Sequence, residues 1–374
     1  MKKILILIMS ILLLSGCTSY TELSDMAIIS TIALDKENDN YKIIIQVLDT
    51  KKSSKEDLNP SVVLYEALGK TIHEAFRNIS LESSKKLYLG HLKAVIIKES
   101  VLKNNTNDFI DFILRNKEID KTFDLLMTKD DIKDIMEIIP PLETIPSEKI
   151  SKTLKIASKS QGMVDFVKFD SFLNNIYSIG IDPVLPIIHI KEIESNNNEI
   201  NPKKRLVLEK NLAIFKDDKF INYLSYDSSI GYNLLNKSDT SSIISFECMK
   251  NAYISVELLN VIPKIIYNID TKKLDINLDI SASLSEINCN IDEEDIKLEN
   301  IFNKRIENII KSTIDEEKNN NVDYLGIGKY LYQNKYDYYK NINIDDLISN
   351  LESNININTK FIEKNTIKKG DEKY

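Results

Sequence analysis

The apolar cluster Ala27-Ile28-Ile29 and Thr31–Leu34 predicts a strand over Asp25–Asp35 that ends in charge, and Tyr41–Leu48 predicts its hairpin partner across the polar turn Lys36–Asn40. Leu68, Ile72, Ala75, Phe76 and Ile79 then recur at helical spacing and predict a helix burying one stripe. The run Ala94–Ile97 within Leu87–Lys98 reads as a strand covered on both faces. Phe109–Leu114 predicts a short helix, and the alternation of Phe123, Leu125 and Met127 a strand. Thr128-Lys129-Asp130-Asp131 fits a capping-box start for a helix that Pro140-Pro141 closes. Ser147–Lys159 and Asp165–Ser178 predict two more helices, with Gly162 and Gly180 near their C-terminal ends.

The polar stretch Glu194–Asn201, followed by Pro202, reads as a linker. Beyond it the pattern turns to long strands. Leu206–Lys216 and Phe220–Leu224 flank Asp217-Asp218-Lys219 as a hairpin, and Ser241–Cys248, Tyr253–Val261, Lys264–Asn268 and Leu274–Leu284 continue in the same manner, with Asp270–Lys273 as a turn. Ile306, Ile309, Ile310, Thr313 and Ile314 mark a long closing helix. Strands and helices mix without strict alternation and without a repeat, so the fold class is α+β: modular, with mixed or antiparallel sheets and packed helices. The expected organisation is a signal peptide over 1–16, an N-terminal α+β region over 17–193, a linker over 194–204 and a C-terminal α+β domain over 205–370.

The first residues set the compartment. Met1-Lys2-Lys3 precedes the apolar run Ile4–Leu14, eleven residues that rise only ~16 Å as a helix against a ~30 Å hydrocarbon core. A basic start, a short apolar segment and small residues are the layout of a secretory signal. Leu14-Ser15-Gly16-Cys17 resembles a bacterial lipobox, with cleavage between Gly16 and Cys17 and a diacylglycerol on the Cys17 thiol. Two acyl chains hold stably where one holds reversibly. No later stretch approaches ~18 consecutive apolar residues, so the expected protein stands on a membrane without crossing it.

Composition changes the picture mainly by exclusion. Of 374 residues 43% are apolar and 28% charged, with 9 Gly, 8 Pro, 3 Cys and no Trp, a globular composition with no collagen-like or disulfide-framework character. The net charge of −8, which becomes −10 without Lys2 and Lys3, excludes a footprint for a phosphate backbone, so no nucleic acid partner is expected.

Candidate chemistry is sparse. His73, His91 and His189 are far apart, and none has H-x-x-x-H or H-E-x-x-H spacing; they read as structural, and no metal is expected. No nucleophile-elbow or dinucleotide motif is present, so neither catalytic residues nor a cofactor are expected beyond the lipid on Cys17. Outside the cytoplasm Cys248 and Cys289 are free to form a disulfide, with two buried thiols the alternative. Asp292-Glu293-Glu294-Asp295 lacks calcium-loop spacing and fits the start of the last helix. Tyr330, Tyr332, Tyr336, Tyr338 and Tyr339 form an aromatic cluster suited to core packing or to a protein contact.

Across nearly the whole chain the sequence resembles the Ger(x)C family, the lipoprotein C subunit of nutrient germinant receptors in endospore-forming bacteria. Glu22-Leu23 and Ala27-Ile28-Ile29…Ile32-Ala33-Leu34-Asp35 resemble its opening, and Leu87-Tyr88-Leu89-Gly90-His91-Leu92-Lys93-Ala94-Val95-Ile96-Ile97, preceded by Thr71–Arg77, its "lGHxkvviI" segment. Asp182-Pro183-Val184-Leu185-Pro186, Leu212–Lys219, Asp323-Tyr324-Leu325-Gly326-Ile327-Gly328 and Ile367-Lys368-Lys369-Gly370 follow in order. Thr18-Ser19 stand where the family usually has Trp-Asp. The resemblance implies a modular α+β fold, no known catalytic activity and no catalytic residues to carry over. It also implies two integral membrane partner subunits, one transporter-like, and a place on the outer face of the inner spore membrane. The function expected is a non-enzymatic subunit required for nutrient-triggered germination. A solute-binding lipoprotein of a transporter, which would have two Rossmann-like lobes, and a lipid-anchored hydrolase are the alternatives.

Overall fold

The computed structural model describes residues 22–49, 62–103, 106–140, 142–143, 145–194, 203–236, 241–288 and 295–364. Cys17, Cys289, the stretch Asp292–Glu294, most of the 194–204 linker and Ile367–Gly370 lie outside them.

A 3-10 turn, Leu23–Asp25, leads into β1 (Met26–Glu37), which turns at Asn38 and Asp39, with φ of 45° and 63°, into β2 (Asn40–Leu48). There follow β3 (Val62–Gly69), α1 (Ile72–Asn78), β4 (Lys86–Tyr88), β5 (Ala94–Lys98), α2 (Glu99–Leu102), α3 (Thr106–Arg115), β6 (Asp124–Thr128), α4 (Ile132–Glu137), α5 (Pro146–Ser160) and α6 (Phe169–Tyr177). Then come β7 (Val184–Glu192), β8 (Lys204–Lys216), β9 (Lys219–Tyr223), α7 (Tyr226–Asn236), β10 (Ser242–Met249), β11 (Ala252–Asn268) and β12 (Lys273–Ile287). The chain closes with α8 (Asp295–Asn320), α9 (Ile327–Asn334), α10 (Tyr336–Tyr339), α11 (Ile344–Ser349) and β13 (Glu352–Lys364).

Two mixed sheets result, as the α+β class requires. The first runs β3-β2-β1-β5-β6-β7-β8-β9, with β4 alongside the start of β1. Its centre is parallel: Thr31 faces Ala94, Ala94 faces Asp124, and Met127 faces Ile187. Antiparallel hairpins flank that centre. The second sheet runs β10-β11-β12-β13, antiparallel until β13, which lies parallel to β12.

The apolar run of β5 shows why the first sheet is covered on both faces. Val95 and Ile97 enter one core with Ile43, Phe109 and Phe169, while Ala94 and Ile96 enter the other with Ile44, α4 and α5. Each Ile buried in this way contributes roughly 1.5–3 kcal/mol. The second core does not stop at the first sheet: it continues through Ile254, Ile276, Phe302 and Ile306, so the two sheets share it.

Several sequence expectations are corrected. Leu68 belongs to β3 and is half exposed; the helix starts at Ile72, with Thr71 Oγ1 accepting from Glu74 N at 3.0 Å. Leu87–Lys98 is two strands separated by a turn, and His91 is an exposed turn residue rather than part of a strand. Asp131 caps α4, accepting from Lys133 N at 2.8 Å. Tyr253–Val261 and Lys264–Asn268 are one strand; Pro263 is tolerated because β10 flanks β11 only as far as Leu258. α7 has no amphipathic signature because it is buried from Ser228 to Leu235. It packs so closely on α8 that a Cβ at Gly231 would lie 1.9 Å from Thr313 Oγ1.

The polar stretch after β7 joins hydrogen-bonded neighbours. Val184 faces Ile214 and Glu192 faces Lys204, so β8 and β9 complete the first sheet, and the change of sheet comes after α7. Limited proteolysis is expected to cut first within Glu194–Lys204. The two pieces should still elute together in size-exclusion chromatography, because the β7–β8 ladder and the shared core hold them. Separation of the nicked pieces without denaturant would contradict this.

Candidate functional site: a carboxylate joint between the sheets

Three segments widely separated in sequence meet where the second half of the chain returns to the first sheet. Asp182 precedes β7, Lys216 and Asp217 form the β8–β9 turn, and Asp323–Gly328 links α8 to α9. Asp182 Oδ1 accepts from Asp217 N at 2.9 Å and its Oδ2 from Asp323 N at 2.8 Å, while Asp182 N donates to Asp323 O at 2.8 Å. The two aspartates therefore clasp one another through backbone and side chain.

Asp323 also holds the start of α9. Its Oδ1 accepts from Ile327 N and its Oδ2 from Gly328 N, both at 2.7 Å, which satisfies two of the free N–H groups of the first turn. Gly326 supplies the left-handed conformation that the turn needs, with φ of 72°. Next to it Lys329 N donates to Gly180 O at 2.6 Å, and a Cβ at Gly180 (φ 70°) would lie 2.3 Å from the Gly328 carbonyl carbon. Two backbones touch at this point, and only glycine permits it.

Glu317, fully buried on α8, accepts from Leu325 N through Oε1 at 3.0 Å, while its Oε2 has no partner. Burial pushes its carboxyl well above the usual range, and the Asp323 charge adds to this. Asp323 is pushed up to about 7, first by burial and then by the Asp182 charge, against the pull of the Gly328 and Ile327 amides. Burial raises Asp182 as well, opposed by the Asp217 and Asp323 amides and by Lys216. Lys216 Nζ lies 3.7 Å from Asp182 Oδ2 and 2.7 Å from Asp345 Oδ1 on α11. Tyr324, also buried, donates to the Thr313 carbonyl and packs edge-to-face on Tyr232 at 5.9 Å. One lysine beside three crowded carboxyls keeps part of the group protonated near neutrality.

This geometry locks elements together through carboxylate-to-amide hydrogen bonds. Among the described residues no group of three His, Cys, Asp or Glu is placed to hold a metal ion. The histidines are apart: His73 meets Phe112 edge-on at 6.2 Å, His91 meets Tyr88 at 5.9 Å, and His189 pairs opposite Val207 in the β7–β8 ladder. Cys248 is disulfide-bonded. Of the tyrosine cluster, Tyr330, Tyr338 and Tyr339 pack against the core, while Tyr332 and Tyr336 are exposed and meet edge-to-face at 5.6 Å. A groove of about 310 Å³ is lined by Tyr267, Tyr338, Ile342 and Leu347. No helix among the described residues is long and apolar enough to cross a membrane.

The spore germination protein N-terminal domain family matches residues 19–190, and the family described as spore germination B3/GerAC-like, C-terminal, matches residues 210–364. Spore germination protein KC of Bacillus subtilis (strain 168) is 26% identical over 353 residues, covering 88% of this chain and 86% of that protein. Spore germination protein GerQC of Bacillus cereus is 23% identical over 335 residues, 87% of this chain and 88% of that one. The crystal structure of the GerBC protein shares the fold, with a TM-score of 0.57, 19% identity and coverage of 89% of this chain and 97% of that chain. All three segments of the carboxylate joint lie within the two matched regions, and the chain belongs to the Ger(x)C family of spore germination proteins.

Proposed function

We propose that this chain is the lipid-anchored subunit of a nutrient germinant receptor, held on the outer face of the inner spore membrane by diacylglycerol at Cys17. In this reading it acts without catalysis, by binding the integral membrane subunits of the same receptor and holding them in a competent arrangement. The observation that carries the proposal is the match of both family regions across most of the chain. The carboxylate joint supports it, since it makes the two halves one body on which a partner can bear. Tethering confines that body to a thin layer above the bilayer, so that weak contacts suffice. Tyr332 and Tyr336, exposed on α9 and α10 with their rings edge-to-face, offer a large contact area at modest entropic cost.

The test is co-purification from detergent-solubilised spore membranes, with labelled palmitate incorporation read on the same preparation. The wild type should bring down membrane subunits and carry label. Cys17→Ala should carry none and should fail to restore nutrient-triggered germination to a deletion strain, while routes that bypass the receptor are spared. Label on Cys17→Ala would overturn the anchor, and a wild type without membrane partners would overturn the subunit role. The Tyr332→Ser, Tyr336→Ser pair should keep its melting temperature and lose co-purification.

A further inference from the structure

We infer that the outer edge of β13 is the surface on which a second copy of this chain docks, the two edges pairing antiparallel about a twofold axis at Asn356. The inference goes beyond the receptor-subunit reading and does not depend on a lipid at Cys17.

β13 closes the second sheet and is bonded to β12 along one side; among the described residues nothing pairs with its other edge. Such an edge is a row of unpaired N–H and C=O groups, and proteins ordinarily blunt it. The other edges here are blunted. β9 has only five residues, and the length of β11 beyond its pairing with β10 carries Pro263. β10 slips register between Glu247 and Met249, and at the end of β3 Asn78 Nδ2 donates to the Leu68 carbonyl at 2.9 Å. β13 has no proline, and its register with β12 is unbroken from Glu352 to Phe361.

The sequence of the strand says what fits its edge. From Glu352 to Lys360 it reads Glu-Ser-Asn-Ile-Asn-Ile-Asn-Thr-Lys, a pattern that is the same in both directions about Asn356. Laid antiparallel on a second copy, Asn356 meets Asn356, Asn354 meets Asn358, Ile355 meets Ile357 and Ser353 meets Thr359. Only the charge inverts: Glu352 meets Lys360 at both ends of the pair. Opposite charges directly across a strand pair stabilise it and like charges oppose it. A shift of two residues in either direction loses both charge pairs.

The two faces of the strand agree with this register. Asn354, Asn356 and Asn358 are exposed, and their amides donate to Asp275, Asn277 and Asp279 of β12, so the same side chains of a second copy extend a polar ladder already formed. Glu352 is held 2.9 Å from Lys273 of β12. On the opposite face Ile355 and Ile357 are half-buried and line a cleft of about 210 Å³ with Asn303 and Lys304 of α8. The facing isoleucines of the second copy cover the part of them that is left exposed.

Residues directly opposite in an antiparallel pair have Cα atoms about 4.5–5.5 Å apart, within reach of a disulfide. Cys248 is already bonded, so an introduced thiol on β13 reports its own neighbour. Full-length protein carrying Asn356→Cys is oxidised with diamide in detergent, over a concentration series, and in phosphatidylcholine vesicles. Most of it should become a covalent dimer. Asn354→Cys stands four positions, about 14 Å, from its counterpart and should not cross-link alone, yet should do so when mixed with Asn358→Cys. In the Asn356→Cys chain, Lys360→Glu should slow cross-linking several-fold and a further Glu352→Lys should restore it. All these sites are exposed, and an unchanged urea midpoint shows that the variants fold. Asn356→Cys that stays monomeric in both media overturns the pairing. Asn354→Cys that cross-links alone as fast as Asn356→Cys overturns the register, as does a charge swap without rescue. Failure to enter vesicles bears on the anchor alone and leaves the detergent result standing.

Discussion

Asp323→Ala is expected to lower stability by about 2–6 kcal/mol, seen as a fall in the urea midpoint at constant slope. Two buried amides, Ile327 N and Gly328 N, lose their acceptors, and each unsatisfied buried donor costs roughly 1–3 kcal/mol. The clasp to Asp182 runs through the Asp323 backbone N–H and carbonyl and survives the truncation, so the loss is that of the α9 cap alone. Asp323→Asn keeps one acceptor and should recover part of the loss. An alanine variant within about 1 kcal/mol of the wild type would show that the Asp323 carboxylate does not hold the start of α9.

The second large effect is with pH. Asp323 has a folded-state value of about 7, above its ordinary 3.8, so the native state binds more protons than the unfolded chain between those values. Stability is then greatest at and below the lower value and falls as pH rises through the upper one. The fall should be on the order of a few kcal/mol. Glu317, raised by burial and by the Asp323 charge, adds to the decline in the same direction. Asp35 works in the other direction: Lys98 Nζ at 2.8 Å and Ser100 Oγ at 2.6 Å overcome its burial and lower its carboxyl, so its contribution is lost as pH falls through the acid range. The optimum should lie at mildly acidic pH, measured as the urea midpoint against pH. Asp323→Asn should flatten the alkaline limb; the same slope in that variant would assign the limb to other groups.

Much of the fold is legible where the periodicity is local. The β1–β2 and β8–β9 hairpins, α3 and α5 follow from alternation, turn residues and apolar stripes that need no distant partner. α7 is not legible, because a helix buried on every side loses the contrast between its faces. The end of β3 looks like the start of a helix because Leu68 stands four positions before Ile72. The joint is half legible. Asp182-Pro183 and Asp323–Gly328 are distinctive segments in the sequence, yet 141 residues separate the two aspartates, and nothing local announces that one will accept from the other's amide. Glu317 carries no signal at all, since a lone Glu near the end of an amphipathic helix is ordinarily solvated. The tyrosine cluster divides by a property that sequence does not encode: which rings face the core.

The parallel pairing of β13 with β12 has a kinetic consequence. Asn354, Asn356 and Asn358 reach across to Asp275, Asn277 and Asp279, each pair 79 residues apart, and β13 is the last strand described. No part of that ladder can close until Glu352–Lys364 has emerged, and such long loops are slow to close. A nascent chain will therefore pass through a state in which the first parallel strands have formed while the β12 edge of the second sheet is still unpaired. In that interval the protein is most exposed to proteases and to aggregation. Truncations that remove β13 should be lost from the cell as immature chains, whatever remains of their binding surface.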